Sequence, residues 1–569
     1  MSERKSRKLP TLIILALIAV LAIGTVIYKV FNLGSPTTQK VNTSEYYEAE
    51  AGKAAVIVNG KLTNVRAVLK NQQIYLRLGL VTEQINSHFY YETKERILFY
   101  TSAEEIVEAD ATSLHNSARI FFDIDEDNES STLGASDRIY VLLSYVANYT
   151  NIDYEYYTNP SRVFIRSIFG ECEEGTAAGG AQLRTGANNS SPVLEELERG
   201  TGLWIISREN GWSKVYAGEG CGHAGYLKDE EISDVETKTV PDKYVAPSYN
   251  YNLLGEKVCM VWHQVFTESG VKKLDKLLKI TSGANVISPT WFSVTGSDGT
   301  IESRANKEYV SKAKAKGLKV WALVENFNTD NTLDYSALLG SRSSRRKMTD
   351  TLVSKALEYG IDGINVDFEG LPSGSGEAYR QFIRELSISC HKNGLVLSVD
   401  CYVPSAWTGH YYRKDISEAA DYFIVMAYDE HYEGSDAGST ASIGFVEDAL
   451  KNTIEEGVDP KRFIAAIPFY SRLWSGEGGS LESSTISMDD MREFMGKYKD
   501  YARWDENSEQ YYVSVTVDGV LKRLWAEDGK SLAAKLEVVR EYNVAGIACW
   551  KLGMENVDAW GKIKDYLNR

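Results

Sequence analysis

Ile361-Asp362-Gly363-Ile364-Asn365-Val366-Asp367-Phe368-Glu369-Gly370 alternates strictly over its second half, with apolar Ile364, Val366 and Phe368 set between Asn365, Asp367 and Glu369. Successive side chains of a strand point to opposite faces, so this spacing gathers the amide and the two carboxylates on one side and the apolar groups on the other. Neighbouring carboxylates on one shielded face raise each other's proton affinity. A carboxyl group that keeps its proton near neutral pH is a general acid.

Around this stretch, apolar strand candidates alternate with segments of helical period. The strands are Val258 to Trp262, Val286 to Trp291, Val320 to Val324, Ile364 to Phe368, Val396 to Val403, Phe423 to Met426, Ile464 to Ile467 and Gly546 to Trp550. Val271 to Ile280, Glu377 to Asn393 and Leu532 to Tyr542 carry the helical pattern. Eight such repeats predict an α/β fold, a (β/α)8 TIM barrel over 255–569, with its site at the C-terminal strand ends. Glu369 lies at such an end. A hairpin from Tyr512 to Trp525, turning at Asp518-Gly519, is expected between the last two strands.

Upstream, the chain is modular, and its 569 residues suggest roughly three or four domains. Arg4, Lys5, Arg7 and Lys8 precede an almost uncharged run from Leu9 to Tyr28, long enough for a transmembrane helix. The basic flank leaves the N-terminus inside and the rest extracytoplasmic. Residues 1–30 therefore read as tail and membrane anchor, with secretion after signal cleavage as the alternative, and 31–48 as a linker. Within 49–170 a duplication aligns Ile74-Tyr75-Leu76 with Ile139-Tyr140-Val141 and Arg96-Ile97-Leu98-Phe99 with Arg162-Val163-Phe164-Ile165. Each copy reads as a short helix followed by a hairpin. Residues 176–235 show short strands between Gly turns, a small β-barrel pattern, and 236–254 is a linker.

Composition narrows the partners. A net charge of −17 argues against general nucleic-acid binding, which depends on neutralising phosphates. Eleven Trp and 35 Tyr provide flat apolar faces of the kind that stack on sugar rings, besides filling cores. Of the six Cys, Cys172 and Cys221 bracket one small module and leave a disulfide open. No Cys or His spacing suggests a metal.

Asp362-Gly363-Ile364-Asn365-Val366-Asp367-Phe368-Glu369 resembles the strand-four signature of glycoside hydrolase family 18, Asp-x-x-Asp-x-Asp-x-Glu. Met426-Ala427-Tyr428-Asp429, Ile467-Pro468-Phe469-Tyr470-Ser471-Arg472 and Trp550 fall where that family places site residues. The resemblance covers roughly 255–569. Asn365 stands where chitinases usually carry Asp, a departure similar to the spore-cortex and cell-wall N-acetylglucosaminidases, as are Ser288-Pro289-Thr290-Trp291-Phe292 and Trp525 to Ser531. The order of motifs in 176–235 resembles a bacterial Src-homology-3-like domain. The duplicated module resembles copper amine oxidase N-terminal-like repeats, without any metal-binding set.

The family resemblance implies catalytic Glu369, Asp367 and Tyr428, supported by Asn365, Asp362 and Asp429. Asn365 is expected to hydrogen-bond Asp367, and Asp362, of opposite strand parity, to support from behind. Trp550, Tyr470, Arg472, Met426, Trp291, Tyr402, Asn326 and Glu527 are candidate substrate contacts, and Glu325 suits the rim. Trp550, Trp291 and Tyr402 also suit barrel core. The implied reaction is retaining, substrate-assisted cleavage of β-1,4 bonds next to N-acetylglucosamine in peptidoglycan. A chitinase, or a wall-bound scaffold that binds glycan without cleaving it, are the alternatives. Water and the sugar's amide suffice, so no cofactor is implied.

Overall fold

All eight strand candidates of the C-terminal region are strands: β1 Val258–His263, β2 Val286–Val294, β3 Lys319–Glu325, β4 Gly363–Asp367, β5 Val396–Tyr402, β6 Tyr422–Met426, β7 Phe463–Pro468 and β8 Gly546–Trp550. Each pairs in parallel with its neighbours, and β1 meets both β2 and β8, which closes the barrel. The computed structural model describes residues 36–122, 138–218, 220–327 and 332–568. The Leu9–Tyr28 run lies outside the described residues. Among those residues, no helix is long and apolar enough to cross a membrane.

Alternation sorts the barrel's side chains as the strand period dictates. Ile364, Val366 and Phe368 join the outer core between strands and helices, and Phe368 stacks on Tyr379 and Phe382 of the helix Gly376–Lys392. Met260, Trp321, Leu323, Tyr422 and Ile424 fill the interior. Trp321 and Tyr422 stack there at 5.3 Å. A Cβ at Gly363 would lie 2.7 Å from both Trp321 Cδ1 and the Val396 carbonyl oxygen, so only glycine lets β4 pass this filling. Apolar packing thus takes one part of the interior, and polar groups take the strand ends beyond it.

The helical segments read from the sequence are Glu268–Leu277, Gly376–Lys392 and Gly529–Glu541. Between β7 and β8 the chain leaves the barrel for a five-stranded antiparallel sheet. The expected hairpin is part of it, with strands Gln510–Val517 and Val520–Ala526. Asp518 and Gly519 at its tip both have positive φ, 50° and 78°, the two-residue turn that suits the right-handed twist of the strands.

The described chain divides into two compact units, one running to Ser87 and from Ser113 to Ala246, the other comprising His88–Thr112 and everything from Pro247. The barrel's unit thus includes a three-stranded sheet (Phe89–Glu92, Ile97–Thr101, Ile106–Asp110). This is the first hairpin of the sequence duplication, with one added strand. Tyr90 and Phe99 enter the outer core of the barrel, and the guanidinium of Arg345 lies 5.4 and 5.1 Å from their ring centres. Fully buried Arg345 is neutralised by Glu385 at 2.9 Å.

In the other unit, the two copies of the duplication meet by antiparallel pairing of Leu76 with Val141, and the second hairpin joins the same seven-stranded sheet. A second seven-stranded antiparallel sheet spans Gly170–Val240 around Leu183, Leu203, Ile205, Val215 and Leu227. Cys172 and Cys221 are free thiols. Cys172 packs with Phe164 and Trp204, Cys221 against the cluster of Leu183, so the disulfide left open by the sequence is not formed.

Candidate active site

The polar side of β4 opens into a cleft of about 1020 Å³ at the C-terminal strand ends. Asp367, Glu369, Asp400, Tyr402, Tyr428 and Trp550 are among its lining residues. Asn365 lies one step deeper and is fully buried. Its carbonyl oxygen accepts from Trp262 Nε1 at 2.9 Å and Ser288 Oγ at 3.0 Å, and its amide donates to Asp400 Oδ1 at 2.8 Å. The bond expected from Asn365 to Asp367 goes instead to Asp400 on the neighbouring strand β5.

That arrangement leaves two carboxylate oxygens unsatisfied. Asp367 Oδ1 and Asp400 Oδ2 are buried and meet no hydrogen-bond partner among the described residues. An anion held so is costly unless a proton or a ligand meets it. Burial pushes the Asp367 carboxyl well above the ordinary carboxylate range, and the charges of Glu369, Asp400 and Glu325 act in the same direction. Asp400 is raised likewise by burial, against the opposing hydrogen bond from Asn365. Glu369, at the mouth and half-buried, is raised by burial and by the charge of Asp429, while the Tyr402 hydroxyl favours its ionised form. The three carboxyls titrate as a set that retains protons to higher pH than isolated acids would.

Backbone and rim are held by other polar residues. Asn326 clamps the main chain of Glu369, its Oδ1 accepting from the Glu369 amide at 2.9 Å and its Nδ2 donating to the carbonyl at 2.7 Å. Asp429, in the left-handed region at φ 57°, accepts from the Tyr470 hydroxyl at 2.7 Å and Arg472 Nη2 at 3.0 Å. Asn326, Tyr470 and Arg472 therefore fix the residues that face the cleft and do not line it themselves. Met426 does line it, and Trp550 packs across from Trp262 at 5.7 Å between ring centres.

Three sequence candidates lie elsewhere. Trp291 is fully buried against Tyr309 in the outer core. A register shift between Thr290 and Phe292 turns Trp291 and Phe292 outward together and leaves Thr290 and Ser293 facing the cleft, as a β-bulge does. Glu527 is fully buried away from the cleft and ion-paired with Lys535 at 3.0 Å. Asp362 sits at the opposite end of β4. It accepts from the Val320 amide at 3.0 Å and pairs with Lys314 and Lys319.

Asp400 and Trp262 were not among the sequence candidates. The signal for Asp400 was present: in β5, Leu397, Val399 and Cys401 face the outer core, so Ser398, Asp400 and Tyr402 share the other face. Two acids on one face make β4 a strong signal, and a single acid in an apolar strand makes a weak one. Among the described residues no group of three or more His, Cys, Asp or Glu is placed to hold a metal ion.

Comparison with known proteins converges on the barrel. Over 316 residues the chain is 27% identical to the uncharacterized glycosylase YvbX of Bacillus subtilis, covering 52% of this chain and 89% of that protein. It is 25% identical over 241 residues to the cortical fragment-lytic enzyme of Bacillus subtilis, of which it spans only 56%. In structure it matches a chitinase from Chromobacterium violaceum with a TM-score of 0.50 and 22% identity, over 55% of this chain and 99% of that one. It also matches the Bacillus cereus spore cortex-lytic enzyme SleL with a TM-score of 0.50 and 18% identity, over 65% and 90%. These two structures establish the fold. Residues 262–555 match the model of the glycosyl hydrolases family 18. That match takes in more than half of the protein, and the chain is a glycosidase belonging to family 18.

Proposed function

We propose that the protein cleaves β-1,4 bonds next to N-acetylglucosamine in peptidoglycan, with retention of configuration and with the sugar's 2-acetamido group as nucleophile. The observation that carries this reading is the unpartnered Oδ1 of Asp367, buried in the cleft one strand period from Glu369. It is an acceptor with nothing to accept from until a ligand brings an N–H. Glu369 donates its proton to the glycosidic oxygen as the bond to C1 breaks, and the acetamido oxygen bonds to C1 to form an oxazolinium ion. Asp367 accepts from the acetamido N–H and stabilises the positive charge. Tyr428 meets the acetyl oxygen and Trp550 floors the sugar. Glu369, now ionised, takes a proton from the incoming water, which attacks C1 and reopens the ring.

Peptidoglycan is favoured over chitin by Asn365, whose neutral amide supports Asp400 where a third carboxyl would stand, and by the likeness to a cortical fragment-lytic enzyme. The Leu9–Tyr28 run would anchor the protein with its hydrolase outside the membrane. The Gly170–Val240 sheet, read as an Src-homology-3-like module, and the duplicated module would hold the barrel at the wall. Purified glycan strands and chitin oligomers digested side by side, with products identified by mass spectrometry, test this. Fragments ending in N-acetylglucosamine from glycan strands are expected; cleavage of chitin alone would contradict the peptidoglycan assignment.

A further inference from the structure

Among the acids that line the cleft is Glu325, a carboxylate that the proposed reaction does not use. Glu325 ends β3, and the parallel register sets it beside Asp367 of β4 and Ser293 of β2. Side chains in register on parallel strands share a face, and all three line the cleft. Beyond Ser293 the chain turns back as a short strand, Ile301–Ser303, with Glu302 paired to Ser293. This strand brings Arg304 and Glu302 to the same wall. Arg304 Nη1 donates to Ser293 Oγ at 2.9 Å, and Arg304 Nη2 pairs with Glu302 at 3.2 Å. Ser293, in register with Glu325 and held by Arg304, favours the ionised form of Glu325. Glu325 Oε2 accepts from the Phe327 amide.

We propose that Glu325 is a positioning residue of the hydrolytic reaction: its carboxylate acts on Asp367 from the neighbouring strand, and Arg304 governs it from the cleft wall. This rests on the reading of Asp367 and Glu369 as the reacting pair. The backbone bond to Phe327 needs only an acceptor, which a neutral amide supplies. A carboxylate in register with a buried carboxylate adds like-charge repulsion that a purely structural position would shed. The charged groups facing Glu325 are Asp367 from β4 and Arg304 and Glu302 from the added strand. Those facing Asp367 are Glu369 on its own segment, Asp400 from β5 and Glu325 from β3. Burial raises Glu325 itself, Arg304 opposes this, and the charge of Glu325 contributes to the raised proton affinity of Asp367. Glu325 thus sets where, on the pH scale, Asp367 becomes the anion that the oxazolinium requires.

The test pairs Glu325→Gln, which keeps shape and the acceptor for Phe327, with Glu325→Asp, which keeps the charge. Removing the charge lowers the proton affinity of the carboxyls facing it. The acid limb of kcat/KM is therefore expected to move down by about one pH unit in the Gln variant and by much less in the Asp variant. A loss of kcat/KM that is uniform across pH, or an equal shift in both variants, would overturn the proposal. A second readout needs no turnover: the Asp367 carboxyl is followed by NMR in protein labelled with carbon-13 aspartate, its signal assigned by Asp367→Asn. A titration midpoint about one pH unit lower in Glu325→Gln supports the proposal, and an unmoved midpoint refutes it. If no glycan is cleaved, the hydrolytic reading fails, and with it the proposal, whereas an unmoved midpoint in an active enzyme sinks the role of Glu325 alone.

Discussion

Two clusters of buried acid in the barrel's unit are finished in opposite ways. Glu527 is fully buried, yet its oxygens accept from Lys535 at 3.0 Å, Ser531 at 2.9 Å and Gln510 at 3.0 Å. Asp367 and Asp400 are buried nearly as deeply, and each keeps one oxygen without a partner. Burial alone is shared, so it does not separate structure from chemistry. Satisfaction does: a matched acid serves the packing of the inserted sheet, and an unmatched one is held open for something that arrives.

Breaking either cluster should have opposite consequences. The largest effect belongs to the cleft: Glu369→Gln should lower kcat by about 1,000-fold or more while thermal unfolding stays near that of the parent. Turnover within tenfold of the parent would remove Glu369 as the acid. Lys535→Met leaves Glu527 as a buried, unpaired charge and should cost about 3–5 kcal/mol in urea unfolding, with kcat of the folded enzyme kept within about threefold, since neither residue reaches the cleft.

Asp400→Asn sharpens the contrast by reversing it. The folded-state affinity of Asp400 for its proton is raised, so its contribution to stability is most favourable below the ordinary carboxylate pKa of about 4 and is lost as pH rises through the higher folded value. The variant removes that loss. It should unfold about 1 kcal/mol later at neutral pH, with no gain at acid pH, and turn over about 100-fold more slowly; calorimetry across pH together with initial rates decides. The smallest effect is expected at Asp362→Asn. Its partners Lys314 and Lys319 are half-exposed and an amide still accepts from the Val320 N–H, so stability should change by less than about 1 kcal/mol, and kcat should stay at the parent value because the residue lies at the far end of β4.

How much of this was legible in the sequence follows the same division. The period of two in β4 marked both the fold and the pair Asp367 and Glu369, because strand alternation is a local property that the chain displays directly. The eight strands were legible for the same reason. Trp291 misled because a bulge breaks the parity that places a side chain, and a bulge leaves no composition signal. Glu527 and Asp362 misled because their partners Lys535, Lys314 and Lys319 are recognised as partners only once the chain is folded. The first duplicated hairpin joined the barrel's unit through Arg345, Tyr90 and Phe99, a contact between segments far apart in sequence. Asp400 is legible by alternation, but a single acid in an apolar strand is a weaker signal than the pair in β4.

In the proposed reaction Glu369 supplies the proton while the substrate's own amide forms the bond to C1. The most direct measurement is proton NMR of the anomeric signal during the first minutes of hydrolysis of a β-1,4-linked N-acetylglucosamine substrate, before mutarotation mixes the forms. The β-anomer is expected as first product with the parent enzyme, and no product with Glu369→Gln. An α-anomer appearing first, or undiminished release by the variant, would contradict it.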